Sequence, residues 1–281
     1  MRTFRSLLFI LLALVATVAC KQKPEEGPKE KMAQEDLPIK VEGEEVRYAT
    51  DSTEMRGYIA YDKNLDGKRP GVIVVHEWWG HNDYVRQRAD MLAELGYTAI
   101  AVDMYGDGKQ ADHPDDAGKF AMSVMSNLPA AKARFNAAME LLKQHKTVNA
   151  EHLAAIGYCF GGSVVLTMAN TGADLDAVAA FHSGVQLPVP PNEDLKAKVL
   201  VCNGADDSFI DPASVTAFKA AMDSINASYE YISYPGVKHS FTSKEADANG
   251  KKFGLPLEYD KVADEKSWQE LKDLLAETFL K

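Results

Sequence analysis

Apolar residues along this chain fall into short runs, and the period of the runs changes from segment to segment. "VRYAT" and "MRGYIAYD" alternate in polarity and predict an opening β-hairpin. "GVIVVHE", "YTAIAVDMYG", "HLAAIGYC", "LDAVAAFHSG" and "KVLVCNGADD" are continuous apolar stretches, the pattern of strands covered on both faces. "SYEYISYP" predicts one more strand. Helical spacing occupies the intervals: "DYVRQRADMLAELG" closed by Gly96, a long stretch over 114–146 that Pro129 divides, "SVVLTMAN", "PASVTAFKAAMDSIN" and "DEKSWQELKDLLAETFL". Strands alternating with helices predict an α/β fold, a mainly parallel, doubly wound sheet with helices on both faces. In such sheets functional groups collect beyond the C-terminal ends of the strands.

The first residues follow another rule. "MRTFR" is basic, and "LLFILLALVATVA" is apolar except for Thr17 and ends just before Cys20. That run is too short for a typical membrane-spanning helix and fits the apolar core of an export signal. It resembles a bacterial lipoprotein signal, which implies cleavage after residue 19 and a lipid on Cys20; plain secretion with cleavage nearby is the other reading. "KQKPEEGPKEKMAQEDLP" is charged and poor in apolar residues, and it predicts a flexible tether. The expected organisation is a signal peptide over 1–19, a tether over 20–45 and one folded domain over 46–281. The expected location is the cell envelope, outer membrane or periplasm, with the membrane met only through the anchor.

Composition narrows the function. The 281 residues are 46% hydrophobic and 26% charged, ordinary for a globular chain. A formal net charge of −10 without a basic stripe argues against a nucleic-acid partner. No C-x-x-C spacing suggests a metal site, and none is expected. With Cys20 lipidated, Cys159 and Cys202 remain. Cys202 sits in a buried-strand pattern, so a disulfide between the two is not expected.

The chemistry centres on "GYCFGG", residues 157–162. A strand, a turn crowded with glycines and a helix place Cys159 on a sharp bend whose neighbours must be small. The following helix favours a thiolate there, and the Phe160 N–H points where an oxyanion would form. The plain alternative is a packed thiol in a glycine-rich turn. Partners appear downstream in the order acid, then histidine. Asp207 follows one buried strand and His239 follows the last; Asp206 and Asp211 compete with Asp207 for the acid. Glu77 ends "GVIVVHE", where a buried carboxylate needs a partner: a catalytic group, or Arg86 or Arg88 on the next helix.

Taken together, "GYCFGG", "GADDSFI", "KHSFT", "HEWWG" and the closing "YDKVADEKSWQELKDLL" resemble the dienelactone hydrolase family of α/β-hydrolases. The resemblance implies the α/β-hydrolase fold and a Cys159–His239–Asp207 triad without a cofactor. It implies Glu77 as a carboxylate that meets the resting thiol, and Trp78 as a second oxyanion N–H. Trp79 and Tyr105 are expected in the substrate pocket. The implied reaction is hydrolysis of a small carboxylic ester or lactone by a monomer. One departure stands out. The arginines that hold the substrate carboxylate in the family are missing: "DMYGDG" carries none after its strand, and Ser243 stands where the second belongs. A non-catalytic binding lipoprotein on the same scaffold is therefore the alternative. A thiol redox protein is a third reading, for which Cys202 would have to leave its strand.

Overall fold

A computed structural model describes residues 37–50 and 52–280. The expected signal peptide, Cys20 and most of the expected tether lie outside the described residues. The first strand, β1 (Val41–Thr50), turns tightly into β2 (Thr53–Asp62), with Thr50 opposite Thr53. Folded structure thus takes in Val41–Glu45, which the sequence assigns to the tether. The reason is pairing: Val41 through Glu45 face Asp62 through Tyr58, so polar residues stand in a ladder that composition alone reads as linker.

The remaining strands are β3 (Arg69–Val75), β4 (Thr98–Val102), β5 (Val148–Tyr158), β6 (Ala177–Phe181), β7 (Lys198–Gly204) and β8 (Tyr229–Tyr234). They form one sheet in the order β1-β2-β4-β3-β5-β6-β7-β8. From β4 to β8 every neighbouring pair is parallel; β2 pairs antiparallel with both β1 and β4. This is the α/β-hydrolase arrangement expected from the sequence.

Helices α1 (Asp83–Glu94), α2 (Pro114–Met125), α3 (Leu128–Gln144), α4 (Phe160–Asn170), α5 (Pro212–Ser224), α6 (Ala246–Phe253) and α7 (Lys261–Phe279) fill the connections. Pro129 opens α3, behind an Asn127 side chain that caps it by accepting from the Ala130 N–H. α6 has no counterpart in the sequence expectations. It is short and lysine-rich, its "ADANGKKF" carries three poor helix formers, Asp247, Asn249 and Gly250, and only Ala246 and Gly250 are buried.

Each central strand feeds both cores. In β3, Ile73 and Val75 join the side packed by Phe135, Val164 and Phe218 of α3, α4 and α5. Val72 and Val74 join the side packed by Val85 and Leu92 of α1 and Leu271 and Leu275 of α7. Strands buried on both faces need continuous apolar runs, which is why those runs are readable.

One buried cation ties the second side to the loop that carries His239. Arg88 of α1 donates to Asp264 of α7 at 2.7 Å and to the Thr242 carbonyl at 2.7 Å. Tyr84, Tyr158 and Trp268 surround the guanidinium at 5.2–5.5 Å. Removing one member of such a buried pair strands the other charge. Asp264→Ala should destabilise the protein by about 3–5 kcal/mol in urea unfolding; a loss below about 1 kcal/mol would put the pair in the class of weak surface bridges.

Candidate active site

Backbone torsion creates the site. Cys159 is the residue before α4 and has φ +53° and ψ −115°, a left-handed conformation that a side chain adopts only when its surroundings enforce it. The enforcement comes from neighbours without side chains. A Cβ on Gly157 would stand 2.1 Å from the Gly161 carbonyl oxygen. One on Gly161 would stand 2.3 Å from the Val75 oxygen, and one on Gly162 would stand 2.6 Å from Ser183. The glycines are required for space, and the torsional cost falls on the cysteine. The Cys159 N–H donates to Phe181 O at 2.9 Å, and its carbonyl accepts from Gly162 at 3.1 Å. The side chain therefore projects beyond the strand ends at the positive end of α4.

A second close approach joins the other two groups. A Cβ on Gly204, at the end of β7, would lie 2.1 Å from Val237 O, so the loops after β7 and β8 touch backbone to backbone. The Asp206 N–H donates to that same carbonyl at 3.0 Å. The contact brings Asp207 Oδ2 to 2.7 Å from His239 Nδ1, both residues buried. The other Asp207 oxygen accepts from the Phe209 N–H at 2.9 Å. Of the competing acids, Asp206 is exposed and Asp211 caps α5 by accepting from Ala213. With Nδ1 taken by Asp207, Nε2 of His239 is the nitrogen left for chemistry with Cys159, which lines the same cavity. Burial opposes a charge on His239, but its electrostatic interaction with Cys159 and its hydrogen bond to Asp207 outweigh it and raise the imidazole to about 10.

Glu77 is buried at the end of the β3 segment and accepts a hydrogen bond from Ser240 Oγ at 3.2 Å. It forms neither ion pair considered from the sequence: Arg86 binds Glu45 and Arg88 binds Asp264. Burial raises its carboxyl to about 7, against the pull of His239, Ser240 and Arg88. A second imidazole, His182, packs against His239 with ring centroids 5.2 Å apart. Its Nε2 meets Thr242 Oγ1 at 2.7 Å, which meets the Tyr84 hydroxyl at 2.6 Å. Burial pushes its pKa well down, with the charges of His239 and Arg88 adding to the effect, so it stays neutral beside a charged neighbour. The sequence reading missed this chain of groups; a histidine directly after a buried strand, in "AFHSG", is the signal it left.

A cavity of about 430 Å³ opens over Cys159 and His239, with Trp78 and Phe160 in its wall. Trp79 and Tyr105 are not among the lining residues, which corrects the pocket expectation. Trp79 meets Trp78 edge-on at 5.1 Å and stacks on Phe253 at 5.9 Å. The buried Tyr105 donates its hydroxyl to the Trp78 carbonyl at 2.9 Å and packs on Phe160, so both residues support the wall from outside the cavity. The wall includes residues the sequence did not flag: one face of α2 together with Phe209 and Leu257. Cys202, buried in β7, accepts from the Tyr234 hydroxyl, and burial raises its thiol to about 12; Cys159 and Cys202 are both free.

An eight-stranded sheet of this order, with a left-handed cysteine at the strand–helix elbow, defines an α/β-hydrolase. A model of the dienelactone hydrolase family matches residues 55–279, and the chain belongs to that family, a family of carboxylic-ester hydrolases. Protein usf of Aquifex pyrophilus is 30% identical over 210 residues, 73% of this chain and 89% of that protein. A Bradyrhizobium protein named "Probable 2-oxo-3-(5-oxofuran-2-ylidene)propanoate lactonase" is 28% identical over 195 residues, 66% of this chain and 78% of that one. Among solved structures, "m3DLH" is 34% identical with a TM-score of 0.80, covering 85% of this chain and 99% of its own. A dienelactone hydrolase-like promiscuous phosphotriesterase from metagenomic libraries is 31% identical with a TM-score of 0.79, at the same coverages of 85% and 99%.

The raised Glu77 carboxyl has a consequence for stability. Folded protein keeps this proton up to about pH 7, whereas the unfolded chain loses it near 4.5, so the folded state binds more protons between those values. Stability must then fall as pH rises through that window. Glu77→Gln should abolish this fall, gaining a few kcal/mol on the wild type by pH 8 in urea titrations; parallel stability curves would mean that the carboxyl ionises in place without cost.

Proposed function

We propose that this protein hydrolyses a carboxylic ester or lactone through a thioester on Cys159. His239, oriented by Asp207, holds the proton of the thiol as an imidazolium beside the thiolate. The sulfur attacks the carbonyl carbon, and the N–H groups of Phe160 and Trp78 receive the negative oxygen. Phe160 is the first residue of α4, so its N–H has no partner within the helix. On collapse the C–O bond breaks, and His239 gives its proton to the departing oxygen. Water then attacks the thioester, His239 takes a proton from it, and the C–S bond breaks to release the acid and restore the thiolate. In a lactone the departing oxygen stays attached to the acyl chain. The observation that carries this reading is the 2.7 Å bond from Asp207 to an imidazole that shares one cavity with a cysteine on a left-handed elbow.

Glu77 serves this scheme from beside Ser240, the neighbour of His239 in the chain. A carboxyl that titrates near neutrality is placed to give or take a proton as the thiol changes partner. Export and a lipid on Cys20 complete the proposal, holding the hydrolase domain at the cell envelope on the segment before Val41.

Cys159→Ala should lower kcat/KM for p-nitrophenyl acetate at least about 10,000-fold while moving Tm by less than about 4 °C. Wild-type protein quenched during turnover should carry the acyl mass on Cys159, released by hydroxylamine; turnover by the alanine variant would end the scheme. For the anchor, the intact mass of protein from its native host should begin at a lipidated Cys20, and Cys20→Ser should move the protein out of the membrane fraction. A mature protein without lipid in the wild type would leave the hydrolase free in its compartment.

A further inference from the structure

We infer that the site takes esters or lactones of uncharged acids with an apolar acyl group, and that it rejects acyl groups ending in a carboxylate. The inference rests on the hydrolase reading above and adds the substrate class. It follows from which side chains surround the sulfur.

In a thioester mechanism the acyl group stays bonded to Sγ through both halves of the reaction, so it must occupy the space around Cys159. That space is the cavity of about 430 Å³, within the range that holds a small organic ligand. Among the described residues no lysine, arginine, aspartate or glutamate lines it; Cys159 and His239 are the titratable groups there. Ser163, the one hydroxyl among the described lining residues, donates to the Gly184 carbonyl at 2.8 Å. An acyl chain ending in a carboxylate would lose water and find no lysine or arginine to replace it, the one imidazolium being engaged by Asp207, so the exchange is costly. A protein with net charge −10 does nothing to offset that cost.

The walls favour the opposite chemistry. Gly118, Ala121, Met122 and Met125 follow one another at helical spacing, so α2 turns one apolar stripe to the cavity. Met122 is 71% exposed and Phe209 is 49% exposed, two large apolar side chains left in water next to the reacting thiol. Phe209 also packs on His239, tilted at 54°, with 4.9 Å between centroids. Trp78 and Leu257 complete the enclosure. An apolar acyl group covers these surfaces and gains about 0.8 kcal/mol per buried methylene, or about fourfold in kcat/KM. Two methionines lend the wall adaptable shape, suiting a range of such groups more than one rigid outline.

The test uses the purified protein and p-nitrophenyl esters that differ only in the acyl group. From acetate through butyrate to valerate, kcat/KM should rise about threefold to fourfold per methylene. Replacing the terminal methyl of valerate by a carboxylate, in the p-nitrophenyl monoester of glutarate, should lower kcat/KM at least 100-fold. Met122→Arg puts a cation on the wall at an exposed position and should raise the glutarate-to-valerate ratio at least tenfold. Equal or better use of the glutarate ester by the wild type overturns the inference, while acylation of Cys159 by acetate leaves the hydrolase reading intact. Failure of every ester to acylate Cys159 removes the hydrolase reading and this inference with it.

Discussion

The site depends on one strained torsion. Cys159 keeps φ +53° because α4 begins so close to the ends of β3 and β5 that no side chain fits at 157, 161 or 162. A left-handed non-glycine residue costs on the order of 1–3 kcal/mol, and packing on both sides of the chain must enforce it. That packing is at hand: Val75, Tyr158 and Val164 are all at most 1% exposed. If the bend relaxed, the sulfur would fall back toward the sheet, away from His239. The rigidity of the two cores is thus converted into the position of one atom.

Around that atom the charges are set apart by environment. His239 is raised to about 10 and Glu77 to about 7, whereas His182, within ring contact of His239, is held far below its usual value. Three buried titratable groups in one neighbourhood therefore answer pH differently, the arrangement that lets a site hold acid and base roles at once. Arg88 stabilises the set from behind. It is held by Asp264 and the Thr242 carbonyl, and Thr242 in turn holds His182. The charge of α1 thereby reaches the loop that bears His239 without contacting the cavity.

How much of this could be read beforehand follows from which patterns have a single physical meaning. Continuous apolar runs have one, since a strand covered on both faces needs them, and β3 to β7 were legible for that reason. The elbow was legible because only close backbone contact calls for three glycines around a thiol, and the order of acid and histidine followed from strand ends. An amphipathic stripe has two meanings. The "KFAMSVM" stretch of α2 shows an apolar face, but nothing local says whether that face meets a core or a cavity. Trp79 and Tyr105 failed for a related reason: nearness to a strand end does not decide which side of the wall a ring takes, and Tyr105 is fixed by the Trp78 carbonyl it bonds. The polar start of β1 was hidden because its order comes from pairing with β2, a partner more than a dozen residues away along the chain for Val41.

Chemistry and selectivity in this protein come from different parts of the fold. The thiol, imidazole and carboxylates sit at strand ends, tied to the sheet by backbone contacts such as Gly161 on Val75 and Gly204 on Val237. Beside Trp78 and Phe160, the walls come from one face of α2 and from Phe209 and Leu257, which lie outside the strands of the sheet. Changing the walls need not disturb the torsion at Cys159 or the bond from Asp207 to His239. The same machinery can therefore serve different acyl groups, and a wall with no lysine or arginine among its described residues can keep ester hydrolysis while losing the reason to bind a charged lactone.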